Sequence, residues 1–322
     1  MTQIRHMPTQ PRRPGELGVH SVDQFNFNVP DLKVAQKFYS DFGLDVRENG
    51  EGIDLYTFGH AHRWGSIGEG PSKKLSHVSL GAYAEDMEPL RKRMQREGVA
   101  QIDPPPGLES NGFWFRDPDG TLLEIRVAEK TSPNEKSVVS NPSSPAGVVG
   151  SCARSKAPFV QPRRLAHILL FTNDISRSIS FYERVVGLRL SDRSGEGVAF
   201  MHGIHGSDHH MIAFAKAGGP GLHHLSWDVS SINEVGLGAM QMLDRGHTRG
   251  WGLGRHVLGS NFFHYIRDPW GSYAEYSSDI DYIPVDHDWP AADHPPHDAF
   301  YVWGPNPPTD FVHNYEVGTE AA

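Results

Sequence analysis

Apolar and polar positions recur along the chain in the same order twice. VDQFNFNVPDLKVAQKFYSDFGL, from Val22, and LAHILLFTNDISRSISFYERVVGL, from Leu165, each read as an apolar strand, a short Asp-containing turn, an amphipathic stretch with an FY pair, and then Gly-Leu, with Phe38 equivalent to Phe181. Apolar residues at helical spacing, Val34, Phe38 and Phe42 in the first copy and Ile175, Ile179 and Tyr182 in the second, predict helices over roughly 32–42 and 175–186. Further on, LSHVSLGA from Leu75 parallels LHHLSWDV from Leu222, and FRDPDGTLLEIRV from Phe115 parallels IRDPWGSYAEYSS from Ile266. Each DP-x-G predicts a turn between strands, because proline presets φ and glycine takes the permissive position. TLLEIRV and SYAEYSS behind those turns are predicted strands.

A repeat of strand, helix and several strands implies an α+β fold of two tandem modules, each able to bury a core. The length of 322 residues suits two such units. We place the first module at 1–130 and the second at 163–280. The segment between them, 131–162, is rich in Ser, Pro, Asn and Lys with little apolar periodicity and reads as a flexible linker. Residues 281–322, rich in Pro, His, Asp and Trp, read as an irregular extension packed across the second module.

Composition narrows the function classes. The hydrophobic fraction of 38% and charged fraction of 21% are ordinary for a globular protein, and no apolar run nears the ~20 residues of a membrane span. The N-terminus, MTQIRHMPTQPRRPGEL, has basic residues without an apolar stretch behind them, so no secretory leader is predicted. A single cysteine, Cys152, excludes an intrachain disulfide and a cysteine-built zinc site and suits a reducing cytoplasm. A formal charge of −9 without a basic cluster argues against a nucleic-acid partner.

Among 19 histidines, superposing the repeats singles out two. The first strand of the second module carries His167, the strand LHHLSWDV carries His224, and the strand after DP-x-G carries Glu275. Two imidazoles and one carboxylate with open positions opposite are the ligand set of non-haem Fe(II) oxygenases. His223 is predicted to face away, because side chains alternate along a strand. The first module has Gln24, His77 and Glu124 at these places, and an amide for an imidazole predicts little or no metal there.

The segments HHMIAFAKAGGPGLHHLSWDV, from His209, and GRHVLGSNFFHYIRDPWGSYAEY, from Gly254, resemble the type I extradiol dioxygenases of the vicinal oxygen chelate superfamily. The resemblance covers both modules and is strongest from His167 to Glu275. It implies paired βαβββ repeats in each module and a metal in the C-terminal one. It also implies extradiol (meta) cleavage of a catechol-type ring, in aromatic catabolism, by Fe(II), with Mn(II) used by some members. O2 is the co-substrate and the product is of the muconate-semialdehyde type. By that resemblance His210 is the acid/base histidine, and His256 and Tyr265 are hydrogen-bonding partners of the substrate oxygen. Imidazoles that exchange protons near neutrality and a phenol that holds an oxyanion suit those tasks. The same resemblance implies a homo-oligomer, with a tetramer favoured, which the single cysteine places in the cytoplasm.

Where the carboxylate-recognising branch of that family has an anchoring arginine, this chain has Trp251, and Phe200 and Leu169 stand at other pocket positions. An apolar wall favours an uncharged or hydrophobic substituent, while Arg249 is near enough in sequence to reach a carboxylate. Residues 202–208, HGIHGSD, read as an insertion beside the pocket. Isomerases or lyases of the glyoxalase type and metal-free binding proteins share this architecture, so the fold alone does not decide function. Such proteins are expected to lack the set His210, His256 and Tyr265.

Overall fold

The computed structural model describes residues 12–108, 110–140 and 143–317. The far N-terminus read for a leader, part of the linker and the last residues of the extension lie outside them. In the first module β1 (Ser21–Val29), α1 (Leu32–Phe42), β2 (Asp45–Glu48), β3 (Gly52–Tyr56) and β4 (Gly65–Glu69) precede β5 (Lys74–Ala82), α2 (Met87–Arg96), β6 (Phe113–Arg116) and β7 (Leu122–Val127). They form one sheet in the order β2-β3-β4-β1-β5-β7-β6. The second module repeats the plan with β8 (Arg164–Thr172), α3 (Ile175–Phe181), β9 (Leu188–Ser194), β10 (Val198–Gly203), β11 (Ser207–Asp208) and β12 (Ile212–Lys216). Then come β13 (Gly221–Asp228), α4 (Ile232–Asp244), β14 (Gly250–His256), β15 (Phe262–Arg267) and β16 (Tyr273–Ser278). In each sheet two antiparallel strands sit at the centre, β1 with β5 and β8 with β13, and each has a parallel partner outside it, β4, β7, β12 and β16. A local twofold therefore relates the halves of each module.

Both predicted helices form, and a π-helical turn at Tyr182–Val186 completes the second. Asp31 and Asp174 cap their N-termini by accepting backbone N–H bonds. The Gly of each Gly-Leu ends the helical segment in the left-handed region, Gly43 at φ 102° and Gly187 at φ 86°, where a side chain is strained. The buried face of α1 is Ala35, Phe38, Tyr39 and Phe42, and Val34, predicted to share it, is exposed.

Each module was expected to bury its own core, but one cluster of buried apolar residues runs through both. Phe42 stacks on Tyr276 with ring centroids 3.9 Å apart, and the Tyr276 hydroxyl donates to the Phe42 carbonyl at 2.6 Å. Lys73 of the first module and Asp268 of the second form a buried ion pair at 2.7 Å. The linker stretch is irregular, yet Thr131 N donates to Ser21 Oγ at 2.8 Å and Ser140 N to the Ser230 carbonyl at 2.7 Å.

The extension contributes three short strands. β17 (Tyr282–Ile283) pairs with β11, β18 (Ala292–Asp293) with β9, and β19 (Tyr301–Trp303) with β14. Near its end, Glu316 accepts from the backbone N–H of Leu75 at 2.7 Å and of Leu222 at 2.9 Å, equivalent positions of the two repeats.

Several histidines without a predicted role are buried near the module junction. Burial holds His20 and His202 down at about 3 and His205 at about 4. Unfolded rings protonate near 6.5, so between that pH and the folded values the unfolded chain binds more protons. Their contribution is therefore present above about pH 6.5 and is lost as pH falls through that window, at about 1.4 kcal/mol per pH unit for each ring. Denaturant midpoints should fall progressively between pH 6.5 and 4.5, and His202→Gln should flatten the slope. A midpoint constant over that range contradicts this account.

Candidate functional site

The three predicted ligands rise from neighbouring strands at the centre of the second sheet. His167 is on β8, His224 on β13 and Glu275 on β16. The register sets Ser226 of β13 opposite both His167 and Glu275, which brings the ligands to one patch of one face. Nε2 of His167 lies 3.1 Å from Nε2 of His224, and Oε2 of Glu275 lies 3.3 and 3.5 Å from them. Ligand atoms about 2.1 Å from one metal, at right angles or somewhat wider, stand about 3 to 3.5 Å apart, so the spacing fits a shared ion. All three side chains are buried, and Oε2 of Glu275 is an interior carboxylate oxygen without a hydrogen-bond partner, a group that a cation satisfies. Oε1 instead accepts from Asn261 Nδ2 at 3.2 Å. Burial would raise the Glu275 carboxyl, but the nearby His167, with His256, holds it below the ordinary value. Among the described residues this is the one convergent cluster of metal-ligand type.

His223 does not face away from His224. The register steps from Leu222 opposite Leu170 to His224 opposite Leu169, a bulge that makes His223 the extra residue and interrupts the alternation. The two rings lie side by side, centroids 4.9 Å apart, and both line the cavity described below. This has a chemical result. The Phe311 carbonyl can only accept, so Nε2 of His223 donates to it at 2.8 Å, leaving Nδ1 of His223 to accept from Nδ1 of His224 at 2.7 Å. The lone pair of neutral His224 then falls on Nε2, the atom aimed at the cluster. Burial keeps His224 well below the ordinary histidine value, so protons do not compete with a metal near neutrality.

Beside the cluster is a cavity of about 400 Å³. At its polar end stand His167, His210, His224, His256, Asn261 and Tyr265, and its wall includes Leu169, Phe200, Leu258, Ala299, Phe300, Phe311 and Val312. Nδ1 of His256 donates to the Phe300 carbonyl at 2.9 Å, so Nε2 accepts from the Tyr265 hydroxyl, also at 2.9 Å. Burial and the nearby Glu275 push the Tyr265 phenol well above its ordinary value, which keeps it a proton donor. The His210 ring lies 4.1 Å from that of His167 and 4.8 Å from that of Phe200. Burial, with neighbouring histidines, holds it well below the ordinary value.

Two residues expected in the pocket are elsewhere. Arg249 is exposed and pairs with Asp310 at 3.4 Å, and Trp251 is buried behind Tyr265, its ring 5.5 Å away and nearly parallel. Trp251 braces the tyrosine, and its Nε1 donates to the Pro305 carbonyl. Residues 202–208 do not line the cavity. They turn toward the other module, where the His205 ring meets Tyr83 at 5.4 Å and its Nδ1 accepts from Arg13 N at 3.2 Å. The sequence reading missed Asn261 and the wall residues of the extension, which carry no periodic pattern. It also gave His209 no role beyond that of a strand histidine and passed over Asp192, although paired histidines occur at both 209–210 and 223–224.

The first-module equivalents also converge through their register, with Ser79 opposite both Gln24 and Glu124. Their polar atoms are engaged. Gln24 Oε1 accepts from Arg63 at 3.0 Å, His77 Nε2 bonds Asn26 Nδ2 at 2.7 Å, and Glu124 accepts from the Ser79 and Ser110 hydroxyls.

Comparison with known proteins agrees with this geometry. A model of the Glyoxalase/Bleomycin resistance protein/Dioxygenase superfamily matches residues 21–125 and 164–276. Metapyrocatechase 2 of Cupriavidus necator is 45% identical over 299 residues, covering 93% of each chain. The Mn(II)-bound glyoxalase from Novosphingobium aromaticivorans superposes with a TM-score of 0.71 at 25% identity, covering 90% of this chain and 93% of that one. An extradiol ring-cleaving dioxygenase from B. fuscum superposes with a TM-score of 0.73 at 21% identity, over 93% of this chain and 83% of that one. No described helix is long and apolar enough to cross a membrane.

Proposed function

The chain belongs to the glyoxalase/bleomycin resistance protein/dioxygenase superfamily, and from that premise we propose that it is an extradiol catechol dioxygenase with one Fe(II) held by His167, His224 and Glu275. The observation that carries this reading is a three-ligand cluster open on one side to a cavity that holds His210, His256 and Tyr265. The local twofold that exchanges β8 and β13 places Ala213 where a second carboxylate would mirror Glu275, so no fourth side chain closes the cluster. Mn(II) suits the same donors.

A divalent metal bound there supplies the Lewis-acidic centre at which a catechol and O2 meet. The side chains supply proton handling and orientation. Tyr265, protonated and braced by Trp251, presents its hydroxyl to an oxyanion, and His256 holds that hydroxyl in place. His210, buried among aromatic rings and held neutral, exchanges a proton with the substrate oxygens. The apolar wall seats the ring and excludes water from the polar end. The charged residues of the lining, Lys216 and Glu196, are of opposite sign and exposed, and the buried wall around the ring is apolar, which favours alkyl- or aryl-substituted catechols over those bearing a carboxylate. The reading carries with it a cytoplasmic homo-oligomer working in aromatic catabolism.

The test is O2 uptake by Fe(II)-loaded protein over a panel of substituted catechols. We expect one O2 consumed per ring, a yellow muconate-semialdehyde-type product, and kcat/KM about 10-fold higher for uncharged substituents than for carboxylates. Absence of uptake with all of them, or fission between the hydroxyls, overturns the proposal.

A further inference from the structure

Behind His210, on the side away from the cluster, lies a buried chain of polar groups. Nδ1 of His210 is 3.0 Å from Nδ1 of His209, and Nε2 of His209 is 2.9 Å from Oδ2 of Asp192. The extension closes over the carboxylate: Oδ1 of Asp192 accepts from His294 Nε2 at 2.8 Å and from Ala292 N at 3.0 Å, and Trp289 Nε1 reaches Oδ2 at 3.4 Å. His209 is 0% exposed and Asp192 6%.

We infer that Asp192 and His209 are positioning residues that fix the proton of His210 on Nδ1 and leave its Nε2 as the base facing the substrate. This rests on the reading of His210 as the proton-exchanging residue. The assignment follows from what each partner can do. The Asp192 carboxylate only accepts, and burial, which would raise it, is outweighed by the bonds from His209 and His294 that keep it ionised. Nε2 of His209 therefore carries a proton, and in the neutral ring its Nδ1 has only a lone pair. Nδ1 of His210 must then donate, so the lone pair of His210 lies on Nε2, on a ring that lines the cavity. When a catechol hydroxyl gives its proton to Nε2, the substrate keeps the electron pair as an oxyanion. The new imidazolium keeps its Nδ1 proton toward His209, with Asp192 as counter-charge. The logic is that of a carboxylate orienting a catalytic imidazole, extended by one ring.

Asp192→Asn gives a directed test. The Ala292 N–H, 3.0 Å from Oδ1, and the Trp289 N–H, 3.4 Å from Oδ2, both only donate; the shorter contact holds the amide oxygen on the Ala292 side and turns the amide NH2 toward His209. His209 must then accept at Nε2 and donate from Nδ1, which moves the His210 proton to Nε2. We expect 15N NMR of histidine-labelled, Zn(II)-loaded protein to show His210 protonated on Nδ1 in the wild type and on Nε2 in the variant. The Fe(II)-loaded variant should lose about 10²-fold or more in kcat with KM and metal content retained. His209→Phe, which keeps a ring but no nitrogen, should show the same split between kcat and KM and serves if Asp192→Asn does not fold. A wild-type His210 protonated on Nε2, or variants with unchanged tautomer and kcat, overturns the inference. If no catechol is cleaved at all but the tautomers follow this order, it is the functional proposal that fails.

Discussion

Glu275→Gln is expected to yield a folded protein that binds Fe(II) at least ~10²-fold more weakly and cleaves catechols at less than about 10⁻³ of the wild-type rate. The change is nearly isosteric, and an oxygen remains to accept from Asn261 at the Oε1 position. At the Oε2 position, however, an NH2 group replaces an anionic acceptor, 3.3 and 3.5 Å from the Nε2 atoms of His167 and His224. Its protons point at the place the metal would take. The metal-free variant should therefore be at least as stable as the metal-free wild type, because an unpartnered buried carboxylate oxygen becomes a donor facing the Nε2 lone pair of His224. Metal per chain by elemental analysis, O2 uptake and the thermal midpoint of the metal-free forms check the three parts. Wild-type metal content in this variant would remove Glu275 from the ligand set.

Asp268→Ala is expected to cost about 3 to 5 kcal/mol of stability. Asp268 accepts from Trp270 N at 2.9 Å and Ser272 N at 3.0 Å while pairing with Lys73 at 2.7 Å across the modules. The Lys73 side chain is only 4% exposed, so removing the carboxylate strands an ammonium in the interior. Asp117, its counterpart in the first repeat, faces the Tyr182 hydroxyl at 3.1 Å instead of a cation, and burial raises it to about 6. A neutral amide is tolerable there, so Asp117→Asn should cost about 1 kcal/mol. Urea unfolding of both variants tests the ordering, and equal losses would contradict it.

The repeat, both helices and the convergence of His167, His224 and Glu275 were legible because each rests on short-range pattern: apolar spacing, a DP-x-G turn, and matched positions in two copies. Superposing the copies worked for Gln24, His77 and Glu124 as well, since both sheets share one register. What escaped depends on long-range contacts. Alternation misplaced His223 because a bulge is set by the partner strand, which local sequence does not display. Trp251 was placed in the pocket because it stands where the resembled branch has an arginine, and Arg249 because it lies two residues away, but the strand turns Trp251 behind Tyr265 and leaves Arg249 with Asp310 at the surface. Residues 202–208 look like a pocket insertion only until His205 is seen against Tyr83 of the other module. The aromatic wall from Phe300 and Phe311 comes from a Pro- and His-rich stretch with no periodicity to mark it.

That wall follows the ligands in chain order. A polypeptide leaving the ribosome presents His167, His224 and Glu275 before it presents Phe300, Phe311 and the clasp at Glu316. During translation the sheet that carries this cluster thus precedes its own roof, and the basin beside it is enclosed only when the later segment arrives.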